Sequence, residues 1–196
     1  MIHDLNTPIS SMILNLKMLP NRTEEIEPLE QSIKVLASLH KNLDNYINTH
    51  TMPKERFSLK EVVEQQESFF ASIYDYIEWH KELEEVMVYS SKDSLERIIY
   101  NLLNNACKYN TTNGSIRIKL TPHQLTIEND SYGIANPDRV FERFYKESDR
   151  GLGIGLHIVS KLSQELGIET TLTIEDQRVM VLIDIGEIVQ KESLKN

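Results

Sequence analysis

One cysteine, Cys107, is all that the 196 residues contain. Without a second thiol there is neither a disulfide framework nor a thiolate metal site, and a reducing compartment is expected. No apolar run approaches the roughly 18–20 residues that cross a bilayer as a helix. Met1 leads straight into a polar, acid-bearing segment, so no signal peptide is expected. An excess of basic charge is missing as well. The 21 Lys and Arg stand against 30 Asp and Glu, a formal net charge of −9, which argues against a nucleic-acid partner. There is no internal repeat and no low-complexity segment. What is present is a globular balance, 40% hydrophobic and 26% charged, with room for one ordinary domain and a smaller one.

Residues 2–19 carry Ile2, Leu5, Ile9, Met12, Leu16 and Leu19 at gaps alternating between three and four, the seam of a bundle helix. "PNRTEE" breaks the pattern, with Thr23 as a candidate N-cap. The seam resumes at Ile26, Leu29, Ile33 and Leu36 and runs to Leu43 and Ile47, with His40 its one polar member. Two seamed helices and a short loop predict an antiparallel hairpin over 1–52. A hairpin cannot bury its stripe alone, so two copies closing a four-helix bundle, a homodimer, are expected. "THTMPKER", residues 49–56, has no seam and reads as a linker.

A mixed α/β pattern fills 57–186, and 187–196 read as a tail. "SLKEVVEQQESFFASIY" reads as helix, "YIEWH" and "VMVY" as short strands. "SKDSLERIIYNLLNNACKY" is a helix capped near Ser91 or Asp93. "SIRIKL" and "QLTIEN" predict a hairpin, "GLHIVSKLSQELG" a helix ended by Gly167, and "ETTLTIED" with "VMVLID" a closing hairpin. Helices interleaved with antiparallel strands predict a two-layer α/β sandwich, so the whole chain is α+β.

The opening "MIHDLNTPIS" carries the first chemistry. Thr7 shares a helical face with His3, and the ring of Pro8 pushes on the carbonyl of Asp4 and bends the helix. Asp4 can hold one imidazole nitrogen and make the other a better nucleophile. Such a histidine suits in-line attack on a phosphoryl group. Taken alone, the pair reads more simply as a surface histidine in a fraying turn.

"HDLNTP", "NLLNNACKY", "FERFY" and "GLGIGL", in that order and spacing, resemble the sensor histidine kinases of two-component systems, from residue 2 to about 185. The resemblance implies a dimerisation and phosphoacceptor hairpin followed by an ATP-binding domain of the Bergerat (GHKL) type. That domain is shared with heat-shock protein 90, DNA gyrase B and the mismatch-repair ATPases. It implies ATP and Mg²⁺ as cofactors, with His3, Asp4 and Thr7 catalytic. It further implies an ATP:protein-histidine phosphotransferase, a response-regulator aspartate as receiver, and possible removal of phosphate from that partner. The expected setting is cytoplasmic, with a membrane reached only through a sensor region absent from this chain.

Each box has a physical rationale. Asn101, Asn105 and Lys108 fall on one face of two helical turns. Asparagine offers neutral oxygen to Mg²⁺, a hard ion that keeps several waters and bridges phosphates. The resemblance makes Asn105 the metal ligand, Lys108 a phosphate contact, and Tyr109 a neighbour of the nucleoside. Gly151, Gly153 and Gly155 precede a helix whose free N–H groups suit anions, and Leu156 closes that box. Phe141 and Phe144 would anchor the segment over the nucleotide, and Arg143 and Lys146 would reach its phosphates.

Some boxes depart from the family pattern. The first glycine box, usually Asp-x-Gly-x-Gly, reads "NDSYGI" here. Asn129 stands at the adenine-reading aspartate, Ser131 at the first glycine, and Gly133 alone is kept. A neutral acceptor binds an amino group more weakly than a carboxylate does, so reduced affinity or relaxed base selectivity is expected. Asp130 should point the other way along the strand. The lid between Tyr145 and Gly151 is short, and Asn6 replaces the usual basic residue. Two other readings stay open: a Bergerat-fold ATPase driving a clamp, and a degenerate kinase acting as a dimeric binding or phosphatase module.

Overall fold

The computed structural model describes residues 53–142, 145 and 153–189. The hairpin expected over 1–52, with His3, Asp4 and Thr7, lies outside the described residues, as do Arg143, Lys146 and Gly151.

The elements run β1 (Glu55–Ser58), α1 (Leu59–Ala71), β2 (Glu78–Leu83), β3 (Met87–Ser90) and α2 (Lys92–Lys108), then β4 (Ser115–Leu120) and β5 (Gln124–Asp130). A short 3₁₀ turn at Pro137–Arg139 follows, then α3 (Gly155–Leu166), β6 (Thr170–Glu175) and β7 (Arg178–Asp184). Five strands form one sheet in the order β2-β4-β5-β7-β6, while β1 and β3 pair separately. The pairs β4–β5, β5–β7 and β6–β7 are antiparallel.

Local sequence explains the boundaries. Ser58 and Ser91 cap α1 and α2, their hydroxyls accepting from the Glu61 and Ser94 N–H groups. Gly167 ends α3 at φ 71°, a left-handed position that favours glycine. Asp176 and Gln177, both at positive φ, make the two-residue turn between β6 and β7, whose twist matches the flanking strands. Ile116, Ile118, Leu125, Ile127, Val181 and Ile183 face inward from the sheet and are buried. Leu95, Ile98, Ile99, Leu102 and Leu103 of α2 complete the core. Alternation along β5 sends Leu125, Ile127 and Asn129 inward and Thr126, Glu128 and Asp130 outward.

The structure differs from the sequence reading in three places. β2 runs parallel to β4, not antiparallel, which the long excursion through β3 and α2 permits. β1 begins at Glu55, inside the stretch read as linker, and pairs with β3. The chain also stays packed beyond 186: Ile188 is buried, and Val189 bridges to Val88.

Candidate functional site

Two helices meet through a glycine. Asn101, on α2, is only 1% exposed, and its Nδ2 donates to the Arg97 carbonyl at 2.7 Å. That leaves Oδ1 buried without a partner. Gly155, the first residue of α3, faces it. A Cβ added there would sit 3.2 Å from Asn101 Oδ1 and 3.6 Å and 3.7 Å from Asn105 Oδ1 and Nδ2. A side chain there would crowd the Asn101 oxygen and meet the Asn105 amide at ordinary contact distance, so glycine suits the close approach of α3 to α2. The α3 N-cap, Ile154, offers no side-chain acceptor to the first-turn N–H groups. Gly153 turns the chain into this helix at φ 67°, and Leu156 is half-buried in the first turn.

The predicted residues of α2 therefore divide. Asn101 lies beneath the start of α3, not on a solvated face. Asn105, one turn on, is half-buried. Lys108 directs its ammonium to the Tyr109 hydroxyl at 3.0 Å, 4.7 Å over that ring. Among the described residues no cluster of three His, Cys, Asp or Glu side chains gathers to hold a metal. The half-buried Asn105 amide beside Gly155, with the orphaned Asn101 oxygen covered beneath it, instead makes a cradle whose open donor is one neutral amide oxygen. Such a donor set fits Mg²⁺, an ion that retains waters and takes phosphate oxygens.

A second cluster forms where β5 ends. Asn129 is 6% exposed and lies in an inward cross-strand row with Trp79, Ile116 and Val179. Its Nδ2 donates to the Asp130 carbonyl at 2.9 Å. The same carbonyl accepts from the Thr111 N–H at 3.2 Å, and Asn110 bridges to Ser131. These bonds tie the strand end to the loop leaving α2. Ser131, where the family has its first glycine, does not adopt positive φ, and its hydroxyl accepts from the Gly133 N–H. Glycine is dispensable at 131 but not at Gly133, where φ is 100°.

Asp130 points outward as expected and is held from four directions. Its Oδ2 accepts from the Ser115 N–H and hydroxyl at 2.8 and 2.9 Å. Its Oδ1 lies 3.6 Å from Arg117 Nη1 and 3.4 Å from Arg178 Nε. Burial alone would raise its pKa, but the two Ser115 bonds and the guanidinium groups outweigh it and hold the carboxyl below its ordinary range. Sequence reasoning missed this network, although its charge alternation across β4, β5 and β7 was available as a signal. A cavity of about 560 Å³ at the far end of α3, lined by Phe141, Ser160, Gln164 and Thr170, contains Phe141, the predicted anchor, but none of the residues predicted to contact nucleotide or metal.

With this geometry in hand, known proteins supply the frame. Residues 90–187 match the family described as histidine kinase-, DNA gyrase B-, and HSP90-like ATPase. The swarming motility regulation sensor protein RssA of Serratia marcescens is 27% identical, over 94% of this chain and 45% of its own length. Sensor histidine kinase RppB of Synechocystis is 36% identical, over 40% of this chain and 20% of its own. The chain thus spans less than half the length of these relatives. Among solved structures, a mycobacterial sensor histidine kinase MprB aligns at a TM-score of 0.62 and 22% identity, covering 69% of this chain and 97% of that one. The match runs from the end of β3 through α2, the sheet strands β4–β7 and α3, and this chain belongs to the histidine kinase-, DNA gyrase B- and HSP90-like ATPases.

Proposed function

We propose that the chain is the kinase core of a sensor histidine kinase, an ATP:protein-histidine phosphotransferase. The observation that carries the nucleotide half is the cradle of Asn101, Asn105 and Gly155 at the start of α3. ATP would lie with its base toward Asn129 and its phosphates toward Asn105, Lys108, Arg143, Lys146 and the segment from Gly151 to Gly155. Asn105 would hold Mg²⁺, which supplies charge neutralisation across the phosphates. Tyr109 would border the nucleoside.

The phosphoryl half rests on "HDLNTP". A nitrogen of His3 forms the new N–P bond to the γ-phosphorus as the bond to the bridging oxygen breaks and ADP leaves. Asp4 orients the imidazole and takes its proton. The phosphohistidine then gives its phosphoryl group to an aspartate of a response regulator. Asp4 and Thr7 would position the water that removes phosphate from that partner. A homodimer, through the hairpin over 1–52, completes the reading. The core would lie in the cytoplasm, joined to a membrane through a sensor region outside this chain.

Incubation with γ-labelled ATP and Mg²⁺ tests this. Acid-labile, base-stable label is expected on the protein and absent from His3→Gln, with transfer to a receiver domain on mixing. Phosphate released without protein label would instead indicate the clamp ATPase. Neither label nor release would indicate a binding or phosphatase module, and a longer chain carrying the upstream helix serves as the control.

A further inference from the structure

We propose that the free edge of β6, beside the cavity at the end of α3, is a docking site for an extended basic peptide, which adds to the five-stranded sheet as a further strand. The site shares no residue with the proposed contacts to nucleotide or metal, so it goes beyond the reading above and can fail without it.

The two edges of the sheet differ. β2, at one end, carries Glu78, His80, Lys81 and Glu82, charges of the kind that keep an edge from pairing. β6, at the other end, reads "TTLTIE" and has neither proline nor lysine. The Asp184 N–H donates to the Glu169 carbonyl at 2.9 Å, which marks these two as a bonded pair of the ladder. Antiparallel ladders alternate, so Thr171, Thr173 and Glu175 bond to β7 in the same way. Thr170, Leu172 and Ile174 therefore turn their N–H and C=O groups to the open edge. None of these groups has a partner among the described residues. An edge in this state is a template for another strand.

Charge and space decide what is added. Glu169 and Glu175 stand at either end of the edge, both exposed and neither in an ion pair among the described residues. Arg178, opposite Glu175, is turned instead to Glu128 and Asp130. A second copy laid antiparallel so as to pair the whole edge would set Glu169 against Glu175 at both ends, and like charges directly opposite destabilise a pair. A strand with a basic residue at each end meets both carboxylates. The space is the cavity of about 560 Å³, bounded by Phe141 and Ile168, by Ser160 and Gln164 of α3, and by Thr170 itself. Opposite residues of a ladder share a face, so the side chain paired with Thr170 is directed to that cavity. The Ser163 and Thr170 hydroxyls, 2.8 Å apart, tie α3 to the edge and set the width of the groove. Main-chain bonds supply the affinity, and the cavity with the two carboxylates supplies the choice of sequence.

The probe is the peptide Lys-Val-Thr-Val-Thr-Phe-Lys, blocked at both termini. In antiparallel register it sets a lysine at each glutamate and its phenylalanine opposite Thr170. It would be titrated calorimetrically into the full chain, with amide exchange followed by NMR. Saturable one-to-one binding is expected, with exchange at Thr170, Leu172 and Ile174 fast in the free chain and slowed about tenfold or more by the peptide. Replacing both lysines by glutamate should weaken binding about tenfold, since two exposed pairs become two repulsions. Glu169→Lys with Glu175→Lys should reverse that preference, and because both side chains are exposed the variant keeps the fold. Proline in place of the central valine removes a main-chain donor and should abolish binding. No binding, equal binding of the proline peptide, or no preference between the lysine and glutamate peptides overturns the proposal. So does protection of the three amides before peptide is added. Protection that grows with protein concentration would mean that a second copy covers the edge, and protection that does not would mean that another part of this chain does.

Discussion

At the scale of single residues, the proposed role of Asn101 would oppose stability. Its Oδ1 is buried without a partner, a state that costs about 1–3 kcal/mol relative to a satisfied group. Leucine has nearly the same branched outline and no polar atoms. Asn101→Leu is therefore expected to match or exceed wild type in urea denaturation while binding Mg²⁺–ADP several-fold more weakly. A variant that loses stability and keeps affinity would make Asn101 purely structural. Asp130 behaves in the opposite sense. Its folded pKa lies below its unfolded one, so its stabilisation is full above the unfolded value and fades as pH falls through the folded value. Asp130→Asn should lower the urea midpoint at about pH 7, and the difference from wild type should shrink as pH falls below the ordinary carboxylate range. The inward turn of Asn129 and outward turn of Asp130 were legible from strand alternation. The burial of Asn101 was not, because what covers it is a glycine far along the chain, and no periodicity within α2 encodes it.

At the scale of elements, periodicity predicted the three described helices and the two hairpins to within a few residues, because caps and turn residues mark their ends. It failed where an element is defined by its partner. β1 has four residues and little alternation, and exists as a strand because β3 runs beside it. β2 contributes only Trp79 and Leu83 to the apolar side, so nothing in "EWHKEL" reveals that it runs parallel to β4. Instead, α1 secures β2 by an ion pair: Lys81 Nζ lies 2.7 Å from Glu67 Oε2, whose carboxylate is 6% exposed. Removing the lysine leaves that buried carboxylate with a long bond from the Ser68 hydroxyl at 3.5 Å. Lys81→Met should cost about 2 kcal/mol in chemical denaturation, short of the ~3–5 kcal/mol of a wholly buried pair because the lysine is partly in solvent. Adding Glu67→Gln to that variant should restore most of the loss, whereas an unchanged midpoint in the single variant would show the pair to be inert.

At the scale of the whole molecule, the two amide clusters are not independent. Asn105 stands near the end of α2 and Asn129 near the end of β5, and the loop from α2 to β4 is stitched to the end of β5 by Thr111 and Asn110. The order of the boxes could be read along the chain, but this stitching could not, since main-chain bonds leave no trace in side-chain identity. If the proposed site is right, base and phosphate would be gripped by two arms of one lever. Inorganic triphosphate and free adenosine, each holding one arm, should have affinities that fall well short of multiplying to that of the intact nucleotide. The molecule would then recognise its ligand as a single object, and would be indifferent to the halves offered separately.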